Sequence, residues 1–321
     1  MNLAKAAAIT IDSAMCGAMS AIQRRHRLNG SSRAALEHYI ATHAPLTREQ
    51  YFFSPPPEQS AIINPQSAIE WPSFITSGFP ENDQVHVDLY PGPRGWSAPT
   101  VLFLHALMSA SDAGYRRWAA HFNARGWNAC FVHLPYHYSR KPRGCWNGEL
   151  AMTADLVRTA EGLRQGVADL RQLMMQLRGL GCREFGLWAS SYGGWIGALL
   201  ASVEREFRFV ALLEPIVDVE HAIWISPAGA ALRPQLLLVG IDHPLIERHF
   251  PLTSPLHGEA LCGADRVLLV AGEYDRVALA ADVARLHARW PGSDLVTVPQ
   301  GHFGFQMMRT AWTRLVERGV I

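Results

Sequence analysis

One stretch, residues 185–201, constrains the fold of this chain more than any other. It begins with apolar residues typical of a buried strand and continues with small residues typical of a closely packed helix. Between the two, Ala189 stands two residues before Ser191 and Gly193 two residues after it. A chain can turn this sharply only where both flanking positions carry small residues. The stretch therefore predicts a strand, a tight turn and a helix, with Ser191 at the helix N-terminus.

The turn matches the nucleophile-elbow pattern G-x-S-x-G, with alanine in place of the first glycine. At a helix N-terminus the dipole and the free N–H groups favour developing negative charge, which suits a serine nucleophile. Serines before helices are also common N-caps, so the turn by itself leaves both interpretations open. Ser190 is the neighbouring candidate, but its spacing to Gly193 fits the pattern less well than that of Ser191.

The composition fits one large α/β domain. The chain has 321 residues, of which 49% are hydrophobic, and its net charge of +1 gives no electrostatic reason to expect nucleic acid as a partner. Its five widely spaced cysteines include no C-x-x-C pair, which favours reduced thiols in a cytoplasmic protein and no zinc site. No apolar run approaches the roughly 20 residues of a membrane span. The apolar segment after Lys5 is short and is interrupted by Asp12, so secretion is the less favoured alternative.

The first 70 residues differ from the rest of the chain. Residues 1 to about 50 have the composition of helices, and Ser31 or Ser32 is a suitable N-cap for residues 33–40. This region has too few large apolar residues to form a core of its own. We therefore expect residues 1–70 to be a helical arm that packs on a main domain of residues 71–321.

From residue 84 onward, strand patterns alternate with helix patterns. The predicted strands are 84–90, 100–104, 127–133, the beginning of 185–201, 209–213, 265–270 and 295–298, and the predicted helices are 112–125, 149–180, the end of 185–201, 279–290 and 303–318. This alternation predicts a mostly parallel sheet with helices on both faces. Functional residues of such sheets collect in the loops at the carboxyl ends of the strands.

Three of those loops carry the groups that acyl transfer requires. Ser191 supplies a hydroxyl, His302 an imidazole that can accept and return its proton, and Asp275 a carboxylate that can orient the imidazole. Their order along the chain is serine, acid, histidine. Glu273 is an alternative acid beside Asp275, and Asp218 and Glu214 are alternatives near the end of the strand at 209–213.

The loop after the strand at 100–104 is the second part of the predicted site. The N–H groups of Tyr192 and Leu107 are the expected oxyanion donors, with Met108 as the neighbouring alternative. We expect Met108, His105 and Trp224 to contact substrate, although a histidine at position 105 more often braces its loop by hydrogen bonds than reacts. His133 and His137 flank Pro135, but no third ligand is suggested by the spacing, so we predict no metal.

Taken together, these motifs resemble the α/β-hydrolase superfamily, in an esterase-like branch, over residues 84–321. The matching residues are His105-Ala106, Ala189-x-Ser191-x-Gly193, Gly272-x-x-Asp275 and Gly301-His302. Alanine replaces the usual glycine at positions 106 and 189. The resemblance implies the α/β-hydrolase fold with a cap insertion at about 215–262, which either covers the site and shapes its acyl pocket or merely covers a sheet edge. The N-terminal arm is a second candidate for the roof of the site.

The resemblance also implies an activity. It predicts a carboxylesterase-like serine hydrolase that cleaves a small-molecule ester through an acyl-enzyme, without a cofactor. The same residues suit amide, peptide, thioester or carbon–carbon bonds as substrates, and a non-catalytic binding protein on the same fold is the further alternative. The sequence does not indicate the oligomeric state.

Overall fold

The computed structural model describes residues 3–26, 31–56 and 67–321. The strands are β1 (Ala68–Pro72), β2 (Gln84–Tyr90), β3 (Thr100–Leu104), β4 (Asn128–Val132), β5 (Phe185–Ser190), β6 (Phe207–Leu213), β7 (Val267–Gly272) and β8 (Asp294–Val298). The α-helices are α1 (Leu3–Gln23), α2 (Arg33–His43), α3 (Arg48–Tyr51), α4 (Ala113–Asn123), α5 (Leu156–Gly179), α6 (Tyr192–Ala201), α7 (Arg233–Leu238), α8 (His243–Thr253), α9 (Ala280–Arg289) and α10 (Gln306–Glu317).

The eight strands form one sheet in the order β1-β2-β4-β3-β5-β6-β7-β8. Strand β2 is antiparallel to both of its neighbours, and every pair from β4 to β8 is parallel. The strand β2 alternates buried and half-buried residues, whereas β3, β4, β5 and β7 are buried throughout. Strands covered on both faces read as continuous apolar runs, which explains why these were recognisable in the sequence.

Two apolar layers sandwich the sheet. On β3, Val101 and Phe103 belong to one layer, which includes buried residues of α4 and α10. Leu102 and Leu104 belong to the other layer, which includes buried residues of α5, α6 and α9. Alternate side chains of a strand point to opposite faces, so helices lie on both sides of the sheet. The predicted α/β class with a mostly parallel sheet is confirmed.

The longest helix begins later than its sequence pattern indicates. We predicted residues 149–180, but α5 begins at Leu156. The side chain of Asp155 accepts a hydrogen bond from the N–H of Arg158 at 3.0 Å and so caps the helix there. The predicted start was wrong because an N-cap aspartate stops the helix more firmly than apolar periodicity extends it. The predicted strand at 265–270 likewise begins two residues late, at Val267, after a 3-10 turn.

The N-terminal region contains α1, α2 and α3. Ser32 caps α2 by accepting the N–H of Ala35, whereas Ser31 donates its hydroxyl to Asp155. Helix α1 packs against the 3-10 turn Pro227–Gly229 of the segment between β6 and β7. Of the arm predicted for residues 1–70, residues 1–2, 27–30 and 57–66 lie outside the described residues. Its division from the domain at 71–321 stays a prediction.

The segment that joins β6 to β7 corresponds to the predicted insertion at 215–262. It consists of a π-helical turn at His221–Ile225, the helices α7 and α8, and short 3-10 turns. Across the described ranges, no helix combines the length and the apolar character that a membrane crossing needs.

Candidate active site

The turn between β5 and α6 has the strained backbone that the sequence predicts. Ser191 adopts φ 52° and ψ −112°, a conformation that costs an L-residue about 1–3 kcal/mol. Two hydrogen bonds hold it, from the Ser191 N–H to the Leu213 carbonyl at 2.9 Å and from the Gly193 N–H to the His105 carbonyl at 3.1 Å. A Cβ on Gly193 would lie 2.5 Å from the carbonyl oxygen of Leu104, so only glycine fits there.

Small residues on α6 explain how the turn accommodates alanine at its first position. A Cβ on Gly197 would lie 2.9 Å from the Cβ of Ala189, so the glycine leaves the space that the alanine methyl occupies. A Cβ on Gly194 would lie 2.9 Å from the Cα of Pro215. The helix therefore approaches β5 and the chain after β6 at backbone distance, which fixes the direction in which Ser191 leaves the sheet.

Three predicted residues form a continuous hydrogen-bonded relay. The Ser191 Oγ lies 2.8 Å from the His302 Nε2, and the His302 Nδ1 lies 2.8 Å from the Asp275 Oδ2. The other carboxylate oxygen of Asp275 accepts the N–H groups of Val277 and Ala278 at 2.7 and 2.9 Å. Ser191, Asp275 and His302 are 4%, 5% and 6% exposed, respectively. We call Ser191, His302 and Asp275 the active-site relay.

Charge around His302 favours its protonated form. Burial alone would disfavour the imidazolium, but the Asp275 carboxylate outweighs burial and, together with Glu214 and Asp12, raises the pKa of His302. Glu214 follows β6 with φ 44°, and its Oε2 is buried without a hydrogen-bond partner. Burial raises the pKa of Glu214 to about 8. The site therefore holds a second carboxyl group that is partly protonated near neutral pH.

The alternative acids are placed differently from Asp275. Glu214 has a ligand atom within 4.8 Å of those of Asp275 and His302, but it makes no hydrogen bond to the imidazole. Asp218 pairs with Arg285 at 2.5 Å, and the side chain of Glu273 is exposed. Among the four acids considered, Asp275 alone contacts the His302 Nδ1.

The loop after β3 lies beside the serine. Tyr192 is the first residue of α6, and the first N–H groups of a helix have no intrahelical acceptor. The N–H of Met108 is donated to the His137 Nε2 at 3.2 Å, so it is already used. Among the hydrogen bonds of the described residues, none uses the N–H of Leu107. Leu107 is therefore better placed than Met108 to offer a second donor.

His137 is a feature of this loop that the sequence pattern did not reveal. Its Nδ1 faces the Pro135 carbonyl at 2.8 Å, which leaves Nε2 as the acceptor for Met108. A Cβ on Gly148 would lie 2.3 Å from that Nε2, so glycine is needed for the contact. Burial lowers the pKa of His137 to about 4, which keeps the ring neutral and able to accept. The only sequence signal was a histidine close to a later glycine.

His105 lies in the loop after β3, as predicted, and both of its ring nitrogens make hydrogen bonds within the protein. Its side chain is completely buried, its Nδ1 donates to the Ala106 carbonyl at 3.0 Å, and its Nε2 accepts the Leu134 N–H at 3.2 Å. Burial lowers the pKa of His105 well below its ordinary value. Both nitrogens are therefore used inside the protein, as the loop-bracing alternative requires, and contact of His105 with a substrate stays a prediction.

The other two predicted substrate contacts lie on different elements. Met108 is half-buried in the loop after β3, with φ 53°. Trp224 stacks on His243 with ring centroids 4.3 Å apart. This ring contact joins Trp224 to α8 of the insertion, and its indole N–H is buried without a hydrogen-bond partner. A role for either residue in binding substrate stays a prediction.

An apolar cavity lies between α5, α6 and the insertion. Its lining includes Leu156, Leu163, Trp195, Ile223 and Ile246. Trp195 lies one helical turn beyond Ser191 on α6, and its indole N–H donates to the Thr253 carbonyl at 2.6 Å. The insertion is thus fixed to the helix that carries the serine.

Within the described parts of the chain, three groups of side chains bring enough ligand atoms together to hold a metal ion. They are Glu214, Asp275 and His302; Asp218, His221 and Asp282; and His86, Asp88 and His133. His133 and His137 do not converge, because His133 faces Asp88 whereas His137 faces Met108. In the third group both histidines bond to Asp88, and their other nitrogens contact Glu70 and Ser139.

Comparison with known proteins places this geometry in context. No family model matches the chain. Two uncharacterized proteins of Mycobacterium tuberculosis, from strains CDC 1551 and H37Rv, are each 28% identical over 226 residues, or 68% of this chain. The chain spans about half the length of these relatives, 52%.

The solved structures are more distant in sequence but similar in fold. Acetyl xylan esterase from Paenibacillus sp. R4 has a TM-score of 0.56 at 11% identity, with 93% of this chain and 98% of that chain covered. Acetyl xylan esterase 1 from Thermoanaerobacterium sp. JW/SL YS485 has a TM-score of 0.57 at 14% identity, with 91% and 96% covered. The chain has the α/β-hydrolase fold. A third structure with this fold, the acylaminoacyl peptidase of Pyrococcus horikoshii, has a TM-score of 0.53 at 16% identity and covers 78% of this chain and 41% of its own.

The α/β-hydrolase fold accounts for the layout of the site. Ser191, Asp275 and the loop with His105 follow β5, β7 and β3, and His302 follows β8. These strands are parallel, so their carboxyl ends meet at one edge of the sheet. The resemblance stated from the sequence is confirmed at the level of the fold.

Proposed function

We propose that this protein is a serine hydrolase that cleaves carboxylic esters through an acyl-enzyme intermediate. The observation that carries the proposal is the active-site relay, in which two contacts of 2.8 Å join a hydroxyl, an imidazole and a carboxylate. The serine sits on a strained turn at a helix N-terminus, as a nucleophile requires. A structural serine would not need φ 52° or a histidine in contact with a buried acid.

The geometry supports a two-step acyl transfer. The Ser191 Oγ attacks the ester carbonyl while its proton passes to the His302 Nε2, and Asp275 stabilises the resulting imidazolium through Nδ1–H. The N–H groups of Tyr192 and Leu107 receive the negative oxygen of the tetrahedral intermediate. His302 then returns the proton to the leaving alcohol. Water, deprotonated by His302, then attacks the acyl-serine; the bond to the Ser191 Oγ breaks, His302 returns the proton to that oxygen, and the acid leaves.

Coverage of the structural relatives supports an ester substrate. The two acetyl xylan esterases align over nearly their whole length, 98% and 96%, whereas the acylaminoacyl peptidase aligns over 41% of its chain. We therefore infer esters with short acyl groups as the first substrates to test. Amide hydrolysis is the second candidate, because a peptidase with the same fold is among the similar structures.

A fluorophosphonate probe tests the nucleophile. Wild-type protein should be labelled once, and mass spectrometry of its peptides should place the label on Ser191. The Ser191→Ala protein should not be labelled, whereas the matched control Ser190→Ala should retain labelling. Folded wild-type protein that resists the probe, or carries the label on another residue, would contradict the proposal.

A substrate panel tests the bond that is cleaved. Purified protein would be assayed with p-nitrophenyl acetate, butyrate and octanoate, and with acylaminoacyl p-nitroanilides. We expect kcat/KM to be highest for the acetate or butyrate ester. A larger kcat/KM for the anilides would mean that the protein is an amidase and not an esterase. The proposed nucleophile, Ser191, would be unaffected by that result.

A further inference from the structure

A carboxylate of the N-terminal helix reaches both loops of the active-site relay. Asp12 of α1 is 0% exposed. Its Oδ2 accepts the N–H of His302 at 3.1 Å and the N–H of Arg276 at 3.3 Å. Arg276 directly follows the relay acid. One side chain therefore joins the backbone of the base to the backbone next to the acid.

The fit around Asp12 is close. A Cβ on Gly301 would lie 2.7 Å from the Asp12 Oδ1 and 2.9 Å from its Oδ2, so the glycine before His302 leaves room for the carboxylate. Arg276 makes a second contact with α1, from its Nη1 to the Ser13 Oγ at 3.3 Å. One turn further along α1, Cys16 packs with Val277 and Ala228. The helix is thus fixed over both loops by polar and apolar contacts.

Folding stability by itself does not favour a buried carboxylate at position 12. Burial raises the pKa of Asp12, against the effect of its two backbone hydrogen bonds. Its Oδ1 is buried without a hydrogen-bond partner. A small apolar side chain, such as the neighbouring Ala8 or Cys16 on the same buried face, would avoid this desolvation. The retained carboxylate therefore calls for a role besides packing.

We propose that Asp12 is a positioning residue for the active-site relay. Its carboxylate holds the backbone of His302 against that of Arg276 and stabilises the imidazolium that forms during acyl transfer. This inference rests on the proposed hydrolase function, and it makes α1 part of the site. The charged and titratable groups that face His302 are Asp275, Glu214 and Asp12, and those that face Asp12 include Cys16 and Arg276.

Two substitutions separate the hydrogen bonds from the charge. Asp12→Asn retains an oxygen that can accept both N–H groups but removes the negative charge. Its kcat should fall less than that of Asp12→Ala, because both hydrogen bonds remain and only the charge that stabilises the imidazolium is lost. The acid limb of its kcat/KM profile should move to lower pH for the same reason. Asp12→Ala removes both and should lower kcat by roughly 10- to 100-fold, with KM little changed. Cys16→Ala, which alters the same helix face without touching His302, is the control.

A double-mutant cycle tests the contact with Gly301. Gly301→Ala should lower kcat in the wild-type background, because its methyl group overlaps Asp12. The same change should have a smaller effect in Asp12→Ala, where the overlap is gone. Additive effects would contradict direct contact.

Titration of the His302 imidazole by NMR separates this inference from the proposed function. Lower His302 pKa in Asp12→Asn than in wild type is expected whether or not any ester is cleaved. If the wild type does not react with the fluorophosphonate while the His302 pKa still shifts, the hydrolase proposal fails and the contact stands. An unchanged His302 pKa, with Asp12→Ala as active as Cys16→Ala, would overturn the inference.

Discussion

Two serine–histidine–aspartate relays occur among the residues that the structure describes, and they differ in what surrounds the same three residue types. The second one lies near the antiparallel edge of the sheet. There the Ser139 Oγ is 2.8 Å from the His133 Nδ1, and the His133 Nε2 is 3.1 Å from the Asp88 Oδ2. We call Ser139, His133 and Asp88 the edge relay. Its distances resemble those of the active-site relay, so distance alone does not identify a nucleophile.

The backbone conformation of the serine distinguishes the active-site relay from the edge relay. Ser191 precedes a helix of ten residues, with φ 52°, whereas Ser139 lies inside a 3-10 turn of three residues, Tyr138–Arg140. The Ser139 N–H is itself directed to the His133 Nδ1 at 3.4 Å. A nucleophile needs N–H groups free to meet the oxyanion, and the active-site relay has them at the start of α6.

The aspartates of the two relays also differ in their hydrogen-bond partners. Asp275 accepts one imidazole and two backbone N–H groups. Asp88 is shared between His133 and His86, whose rings stack with centroids 4.4 Å apart. Burial lowers the pKa of His133, whereas the pKa of His302 is raised. Serine strain and free N–H groups therefore distinguish the active-site relay, for which we propose catalysis, from the edge relay, which is a hydrogen-bond network.

We expect the largest difference in kcat between substitutions of the two relay serines, Ser191 and Ser139. Ser191→Ala should lower kcat for an ester substrate on the order of 10⁴- to 10⁶-fold, because the attacking oxygen is lost. Ser139→Ala should leave kcat near that of the wild type. Steady-state kinetics of both variants tests this prediction. A comparable loss of kcat in Ser139→Ala would mean that the two relays do not differ in function.

We expect the next largest difference in kcat between substitutions of the two relay aspartates, Asp275 and Asp88. Asp275→Asn should reduce kcat on the order of 10⁴-fold, because an amide in place of the carboxylate stabilises the wrong tautomer of His302. Asp88→Asn should not affect kcat appreciably. Both variants would be assayed at saturating substrate, with circular dichroism to confirm that each is folded. Equal losses would mean that the edge relay supports catalysis.

Close backbone approach at the elbow predicts a loss of stability. Gly193→Ala would place a methyl group 2.5 Å from a carbonyl oxygen and should reduce the free energy of unfolding on the order of 1–3 kcal/mol. Gly179→Ala is the matched control, because a Cβ there meets nothing within 4 Å. Urea denaturation should find the control within about 1 kcal/mol of wild type. An unchanged free energy of unfolding in Gly193→Ala would show that the backbone of the turn can shift to accommodate the methyl group.

The shifted pKa values of Glu214 and Asp88 predict opposite effects of pH on stability. The pKa of Glu214 is raised to about 8, so folded protein keeps a proton that the unfolded chain releases. Its contribution to stability therefore falls as pH rises from about 4.5 to 8. Glu214→Gln should raise the free energy of unfolding relative to wild type by on the order of 1–3 kcal/mol at pH 9, and hardly at pH 4.

Asp88 should behave in the opposite way. Burial alone would raise its pKa, but hydrogen bonds with His133 and His86 outweigh burial and lower it. Its contribution is present above the ordinary pKa of an aspartate and is lost as pH falls below that value. Asp88→Asn should therefore destabilise the protein at pH 7 by about 1 kcal/mol, and by progressively less as pH falls below about 4. Thermal unfolding across this range tests both variants, and the same slope for both would refute the assignment.

Local sequence patterns predicted the parts of the structure that depend on neighbouring residues. The strands buried on both faces were recognisable as apolar runs, and the small residues around Ser191 predicted its turn, because steric limits act within a few residues. The start of α5 was misjudged for a related reason. The apolar periodicity extends past Asp155, and the capping bond to Arg158 that decides the boundary is a competing local effect.

Contacts between distant residues could not be predicted in the same way. Asp12 meets His302 across 290 residues, and in the sequence it only interrupts an apolar segment. His137 meets Met108 across 29 residues, through a gap that Gly148 leaves open. A carboxylate or imidazole has no local periodicity that reveals its partner, so these positions depend on how the elements pack.

The sequence by itself determined the alternation of strands and helices and the serine, acid and histidine at the ends of three strands, because burial and turn geometry act over short segments. Only the tertiary structure decided which of four acids contacts His302 and which of two serine relays has the strained backbone. It also decided that Asp12 of α1 accepts the N–H of His302. These outcomes depend on distances of about 3 Å between residues far apart in the chain, and only packing of the complete fold sets such distances.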